Sequence, residues 1–532
     1  MRTLYVLLLV AVLLSGCASN PSETLAAVPA STDLPVTPSP TRPSITPSPT
    51  IEPPRPSPTL PPATFTVRPG ASLPLDGPLL AYESGSAQDK ILLLADPLGN
   101  TSVEFHFPAT AHFATPFLAG LSPDARYFVY FEGGRLETLY EIEHLRLDKS
   151  DLVLHILDLR SGEIIFSAPL LSPSFPRDLA TVAETIQEEW FFTSENATFA
   201  DVVAATQELM LDRIRSVAWS PDGSLLAFAS QDPGPTSDLY LFSLADGAAR
   251  RVTDDPAHIL RTVWAPDSAS LVTVTSLYDR HAREDTTYLL SRDGSLVTSF
   301  TSQVWWFSHW HDSTYAFLDG GTDAGDYFEP KVISASDGTT TVVWNGSYEE
   351  IAFSPDLSTF LLSSNIPSAP DPPGSGLYLG RQDAAPLLQL SEIMGWGVAY
   401  WGSPRFAFAA SSIGEGTVGV NPEGERVPID AGAWKLSASP DGSYLAGYYD
   451  DHPSYVSGIV PGLRIFDGEG LLTESVEDVS VACVRWNAAS TSLAYQSENR
   501  LYLWDSASGL TRLVSDQLDP LGCAFVWVRD SP

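Results

Sequence analysis

The chain has 532 residues, a formal net charge of −36 at pH 7 and a sequence pI near 4.4. So large an acidic excess argues against a nucleic-acid partner and against docking on anionic lipid, since both would repel it. The sequence also contains no Gly-x-Ser-x-Gly, His-Glu-x-x-His, Gly-rich phosphate-loop or Cys-x-x-Cys motif, which argues against the enzyme classes that those motifs mark.

The first residues form a lipoprotein signal pattern. Arg2 supplies a positive start, and Leu4–Leu14 is an apolar run too short to span a bilayer. Leu14-Ser15-Gly16-Cys17 resembles a lipobox, in which the Cys becomes the lipidated N-terminus. Residues 1–17 are therefore predicted to be a signal peptide with lipidation at Cys17; the alternative is an ordinary secretory signal with a chance Cys. The acyl anchor would hold the chain outside the cytoplasm, on the cell membrane or outer membrane.

Residues 18–77 are predicted to be a tether. The stretch Pro21–Arg68 consists mostly of Pro, Thr and Ser. Such a composition cannot bury a core and favours an extended, polyproline-like chain. The tether would display the domain that follows at a distance from the membrane.

A repeated hairpin organises the rest of the chain, and Ile214–Ser230 shows it most clearly. Ser220-Pro221-Asp222-Gly223 suits a type I turn, because Pro fixes φ at the second position and Gly is favoured at the fourth. Apolar residues flank this turn on both sides, as in a strand–turn–strand unit. Further copies begin at Leu121, Trp264, Trp310, Phe353, Trp401, Ala438, Trp486 and Trp527.

From Trp219 onward these anchors are 37 to 48 residues apart, and each unit holds about four short strands, which is typical of a β-propeller blade. The Ser-Pro-Asp-Gly repeat resembles that of TolB-type, WD-repeat-like propellers over about residues 78–530. The resemblance implies a fold and not a role, because this sequence lacks the α/β domain that precedes the propeller in TolB. Residues 78–532 are therefore predicted to be all-β, a single large propeller of about eight blades (range seven to nine). A direct count of the units gives nine.

The two ends of this domain complement each other. Pro78–Phe107 contains three predicted strands without a first strand, and Cys523–Val528 has the pattern of a first strand without successors. The C-terminal strand is therefore predicted to complete the N-terminal blade and close the ring, which leaves no long exposed sheet edge. Between the anchors Leu121 and Trp219, residues 175–212 have apolar residues at helical spacing and are predicted to be a small helical insert.

The connections differ between the two ends of the predicted ring. Those from second to third strands are long and dissimilar, whereas the other turns within blades are short. The long ones are Glu132–Ser150, Gln231–Asp238, Leu277–Thr286, Asp319–Pro330, Ser364–Gly376 and Asp450–Gly462. Variable loops on a rigid scaffold commonly carry function, and aromatic residues and Arg dominate binding hot spots. The predicted partner-binding residues are Tyr278, Arg280, His281, Arg283, Tyr327, Phe328, Tyr449, His452 and Tyr455. The alternative is that the sequences of these loops have diverged by drift and carry no function.

The remaining cysteines and histidines leave alternatives open. Cys483 and Cys523 stand near the starts of first strands in blades that should be neighbours, so they form either a disulfide or two buried thiols. His309 and His311 could be two metal ligands, but the favoured interpretation is that they are polar residues lining a water-filled central channel. Asp319, Asp323 and Asp326 fit no calcium-loop spacing. No metal site and no cofactor is predicted.

These observations predict a non-catalytic binding module that is displayed outside the cytoplasm. Its partner would be an envelope or extracellular protein or a surface glycan, with no nucleic acid, and it would meet the lipid bilayer through its acyl anchor alone. The first alternative is a propeller-type enzyme, a glycan hydrolase or lyase, with a site over the central channel. The second alternative is a structural scaffold of the envelope.

Overall fold

The computed structural model of the chain describes most residues from Thr66 to Arg529. Residues 1–65, 69–76, 134–151, most of 173–198, 277–284, 321–329, 365–375, 411–415 and 449–461 lie outside the described residues, as do several shorter gaps. In the part described, no helix is long and apolar enough to cross a membrane.

Nine antiparallel sheets form the blades of one ring, at the upper end of the predicted range of seven to nine. Blade 1 contains β1 (Thr66–Arg68), β2 (Leu79–Ser86), β3 (Asp89–Ala95), β4 (Ser102–His106) and the C-terminal strand β37 (Phe525–Val528). Blade 2 contains β5 (Ala111–His112), β6 (Tyr127–Glu132), β7 (Val153–Asp158) and β8 (Glu163–Pro169).

Blades 3 to 9 each take four consecutive strands, with the first strand innermost. They are β9 (Val217–Trp219), β10 (Leu225–Ser230), β11 (Asp238–Ser243), β12 (Ala248–Arg251); β13 (His258–Trp264), β14 (Ser270–Ser276), β15 (Asp285–Ser291), β16 (Leu296–Ser302); β17 (Trp305–Trp310), β18 (Tyr315–Gly320), β19 (Lys331–Ser334), β20 (Thr340–Val342); β21 (Glu350–Phe353), β22 (Thr359–Ser364), β23 (Gly376–Arg381), β24 (Ala384–Ser391); β25 (Gly395–Tyr400), β26 (Phe406–Ala410), β27 (Gly416–Val420), β28 (Arg426–Asp430); β29 (Lys435–Ala438), β30 (Tyr444–Tyr448), β31 (Gly462–Asp467), β32 (Leu472–Glu477); β33 (Cys483–Trp486), β34 (Ser492–Ser497), β35 (Arg500–Asp505) and β36 (Leu510–Ser515).

The ring closes as predicted, because β37 pairs with β2 and supplies the missing inner strand of blade 1. A disulfide between Cys483 and Cys523 joins the start of β33 in blade 9 to the segment that leads into β37. Strand β1 lies within the predicted tether and pairs with β4, which gives blade 1 a fifth strand on its outer side.

The repeated turn is held by its own side chains. The Ser220 hydroxyl donates to Asp222 Oδ1 at 2.6 Å and accepts the backbone N–H of Leu225 at 3.0 Å. The Ser122, Ser354 and Ser439 turns repeat this pattern. The copy that begins at Trp486 lacks the Ser-Pro-Asp-Gly sequence. There Asn487 Oδ1 accepts the N–H of Ser492 at 2.8 Å, so a carboxamide takes the place of the hydroxyl.

Trp side chains join neighbouring blades through what we call the indole clasp. At five junctions in the described part of the ring, an indole N–H donates to the carbonyl of the residue directly before the anchor of the preceding blade. The pairs are Trp219 with Gly120, Trp264 with Ala218, Trp486 with Ser437 and Trp527 with Arg485, all at 3.0 Å, and Trp310 with Val263 at 3.1 Å. At these five junctions the anchor residue therefore holds its blade to the preceding one.

The insert before blade 3 contains one described helix, α1 (Phe199–Ile214), in agreement with the predicted helical insert. Its buried residues Val202, Met210 and Ile214 pack in the same hydrophobic cluster as Phe131 of β6 and Phe228 of β10. Because this cluster spans blades 2 and 3, the insert extends the apolar interface between them.

Candidate functional site

The nine predicted partner-binding residues and the lipidation residue Cys17 lie outside the described residues. Their roles therefore remain predictions. What the described strands do fix is the position of the loops that carry them. Because each blade is antiparallel, its second-to-third connection and its crossing to the next blade lie at one end of the ring, which we call the long-loop end.

The two histidines considered for a metal have separate surroundings. The His309 ring lies against Phe317, with centroids 5.0 Å apart, whereas His311 Nε2 lies 3.3 Å from the Pro355 carbonyl oxygen. Asp323 and Asp326 lie outside the described residues. Within the residues that are described, no group of three or more His, Cys, Asp or Glu side chains could hold a metal ion.

Three polar side chains of blade 2 form a row of contacts at the long-loop end. His155 on β7 stands directly opposite Ser167 on β8, and its Nδ1 lies 2.8 Å from Ser167 Oγ. Its other ring nitrogen, Nε2, lies 3.7 Å from Oε2 of Glu132, the last residue of β6. A hydroxyl, an imidazole and a carboxylate are thus aligned across three adjacent strands, and we call them the Ser–His–Glu row.

The surroundings of His155 keep its ring neutral. Its side chain is 13% exposed, and the ring lies against Tyr130, its partner on β6, with centroids 5.1 Å apart. Burial lowers the pKa of His155 to about 4, because it disfavours the imidazolium. At neutral pH His155 is therefore in its unprotonated form, the form that a general base requires.

This row has the parts of a nucleophile activated by a base. With the ring proton on Nε2, Nδ1 accepts the Ser167 hydroxyl and the Nε2–H faces Glu132. A carboxylate in that position orients the imidazole and stabilises the cation that forms when the base takes a proton. Ser167 is half-buried and Glu132 is 33% exposed, so solvent reaches both ends of the row.

Sequence reasoning missed these residues. His155 follows Glu132 by 23 positions and precedes Ser167 by 12, a spacing that matches no known motif. Only the pairing register of β6, β7 and β8 brings the three residues together. The sequence signal for this group was the position of His155 between the apolar residues Leu154 and Ile156, which are both buried in the structure. A half-buried His on an otherwise apolar strand needs a polar partner.

No family model matches this chain. "Uncharacterized peptidase YuxL" of Bacillus subtilis (strain 168) is 28% identical over 156 residues, which is 29% of this chain and 22% of that protein. The chain thus matches about a fifth of the length of this curated relative.

Solved structures give matches with low scores. A eukaryotic initiation factor matches with a TM-score of 0.47 at 12% identity, over 85% of this chain and 98% of that one. An acylaminoacyl peptidase of Pyrococcus horikoshii gives 0.32 at 14% identity, over 74% and 50%. TolB from Acinetobacter baumannii gives 0.26 at 14% identity, over 61% and 76%. Scores at this level support no functional conclusion.

The prediction that the chain is not an enzyme is contradicted by the curated relative, which is named a peptidase. The prediction rested on the absence of known catalytic motifs. Such motifs mark particular families, and a catalytic group assembled from separate strands has no fixed spacing in sequence.

Proposed function

We propose that this chain is a propeller-type hydrolase that acts on peptides, with Ser167 as its nucleophile. The Ser–His–Glu row carries the proposal, because a hydroxyl 2.8 Å from a neutral imidazole is in position to lose its proton to that ring. The peptidase name of the curated relative supports a peptide as the substrate.

The chemistry follows from the three side chains. Ser167 Oγ attacks the carbonyl carbon of the scissile peptide bond while its proton passes to His155 Nδ1. The resulting imidazolium donates that proton to the leaving amine as the C–N bond breaks, which leaves an ester on Ser167. Water then attacks this ester with His155 again as base, and the released hydroxyl regains its proton. Glu132 stabilises the imidazolium in both halves.

The location is part of the same proposal. A lipid anchor at Cys17 and a Pro-rich tether would place the enzyme outside the cytoplasm, facing exogenous or envelope peptides. The disulfide between Cys483 and Cys523 supports this, since disulfides persist in oxidising compartments.

A fluorophosphonate probe and a panel of peptide substrates test the proposal. We expect the probe to label Ser167 and the Ser167→Ala variant to lose at least ~100-fold in kcat/KM, the usual contribution of an activated group. The matched control is Ser299→Ala. Ser299 is also half-buried on a fourth strand but stands opposite Tyr288 instead of a His. Equal activity in the Ser167→Ala variant and the unmodified chain, or labelling that survives the substitution, would refute Ser167 as the nucleophile.

A further inference from the structure

The inner strands of the ring expose charge of the opposite sign to the protein as a whole. First strands of neighbouring blades contact each other between blades 3 and 4, 6 and 7, 7 and 8, and 8 and 9, which places the first strands on the inner side of the ring. Their exposed side chains therefore line the central channel. Among the first-strand residues whose exposure the structure describes, four are exposed: Arg261, His309, Lys435 and Arg485. None is acidic, although the chain has 65 Asp and Glu against 29 Lys and Arg.

Backbone irregularities accompany two of these four residues. The register of β13 against β14 shifts between Ile259 and Arg261, and that of β17 against β18 shifts between Phe307 and His309. A β-bulge turns the following side chain away from its regular direction, and bulges of this kind are common beside binding sites. Arg261 and His309 are the residues that directly follow the shifts, and both are exposed.

Arg485 has surroundings that suit an anion. Its side chain is reached by solvent, yet burial lowers its pKa, which fits a side chain inside a wet channel with protein on several sides. Its Nε donates to Cys523 Sγ at 3.3 Å. Among the described residues no carboxylate pairs with it, so an incoming anion would meet a charge without an acidic partner.

Lys435 adds a second cation to the same part of the wall. It stands opposite Tyr448 across β29 and β30, and β29 contacts β33, the strand that carries Arg485. Lys435 and Arg485 thus lie on adjacent inner strands at the junction of blades 8 and 9. Elsewhere on the first strands, the half-buried carboxylate of Glu350 accepts the backbone N–H of Val398 at 3.0 Å, so it is already engaged.

We propose that the channel wall at Lys435 and Arg485 binds the carboxylates of an acidic peptide segment. The choice of a peptide rests on the proposed function, whereas the choice of carboxylates rests on the wall itself. The Nη atoms of Arg485 suit one carboxylate end-on, because its Nε is taken by Cys523. Arg261 and His309, on blades 4 and 5, would meet further acidic residues of a chain that passes along the channel.

Binding is measured by fluorescence anisotropy with the full-length Ser167→Ala chain and a labelled oligoglutamate peptide. Because this variant cannot form the acyl-enzyme, binding is read without hydrolysis, and a failure of the Ser167 chemistry leaves the result intact. We expect oligoglutamate to bind and oligoglutamine of the same length not to bind. Arg485→Gln and Lys435→Gln should each weaken binding about tenfold, as expected for the loss of one hydrogen-bonded charge.

The control is Arg381→Gln, which removes the same charge from an exposed residue on a third strand, away from the channel. Lys435→Gln guards against a folding defect in Arg485→Gln, because Lys435 lies on blade 8, outside the two blades that the disulfide joins. Equal binding of oligoglutamate and oligoglutamine, or equal loss in all three variants, would overturn the channel site. Tighter binding of an oligogalacturonate, lost in the same two variants, would overturn the choice of a peptide.

Discussion

The indole clasp gives a sharp test of how the ring is held together. In Trp264→Phe the side chain keeps an aromatic ring but loses the N–H that reaches the Ala218 carbonyl at 3.0 Å. The carbonyl is then left without that donor, which costs about 1–3 kcal/mol in addition to the lost packing of the indole. Trp401 supplies the matched control because it occupies the corresponding anchor of blade 7. Its Nε1 is buried and has no hydrogen-bond acceptor among the described residues.

The two side chains are buried to a similar degree, with 6% of Trp264 and 4% of Trp401 exposed, so the packing loss largely cancels between the variants. Trp401→Phe removes an unsatisfied donor, whereas Trp264→Phe removes a satisfied one, and the variants should differ by about 2 kcal/mol or more. Urea unfolding followed by far-UV circular dichroism measures this as a lower midpoint for Trp264→Phe at an unchanged slope. Equal midpoints would show that the clasp contributes nothing to stability.

Two further expectations follow from the site and the ring closure. Because burial lowers the pKa of His155 to about 4, its neutral, active form persists above that value, and kcat/KM should fall as pH drops through about 4 and not near the ordinary value for His; an acid limb near 6.5 would contradict the role of this residue. Replacing Cys483 and Cys523 by Ser opens a loop with a sequence separation of 40, which should cost about 4 kcal/mol of unfolding free energy, and a chain with an unchanged melting temperature would refute that estimate.

Local chemistry made the fold predictable from the sequence. The Ser-Pro-Asp-Gly turn is stabilised by its own Ser and Asp, so each copy marks a hairpin without reference to the rest of the chain. The number of these copies predicted the ring. Its closure by β37 was predicted because a first-strand pattern stands at the C-terminus, whereas the N-terminal blade lacks a first strand. The fifth strand β1 was missed because its pairing with β4 depends on an edge that exists only after blade 1 has formed.

The candidate catalytic group was not predictable in the same way, because it depends on register. A shift of one residue between β7 and β8 would place Ser167 on the other face of the blade, away from His155. Because Ile164, Ile165 and Phe166 are all apolar, the sequence of β8 does not alternate and does not reveal that register in advance. It is set by the apolar residues of β7 and β8, such as Ile156 and Phe166, which pair across the strands and are buried in the interface with blade 3.

The net charge of the chain, which argued against polyanionic partners, does not predict the charge of local surfaces such as the channel wall. A total of −36 describes the average surface and the field at long range, and that field is screened beyond about 8 Å at physiological ionic strength. Inside the channel, contact with Arg485 or Lys435 decides binding. The sequence does not show which cationic side chains face the channel, because that depends on how the strands pair. Arg261 and His309, for example, directly follow positions where two strands change register. An acidic protein can therefore present a cationic wall to a carboxylate, provided that the ligand reaches the interior of the ring.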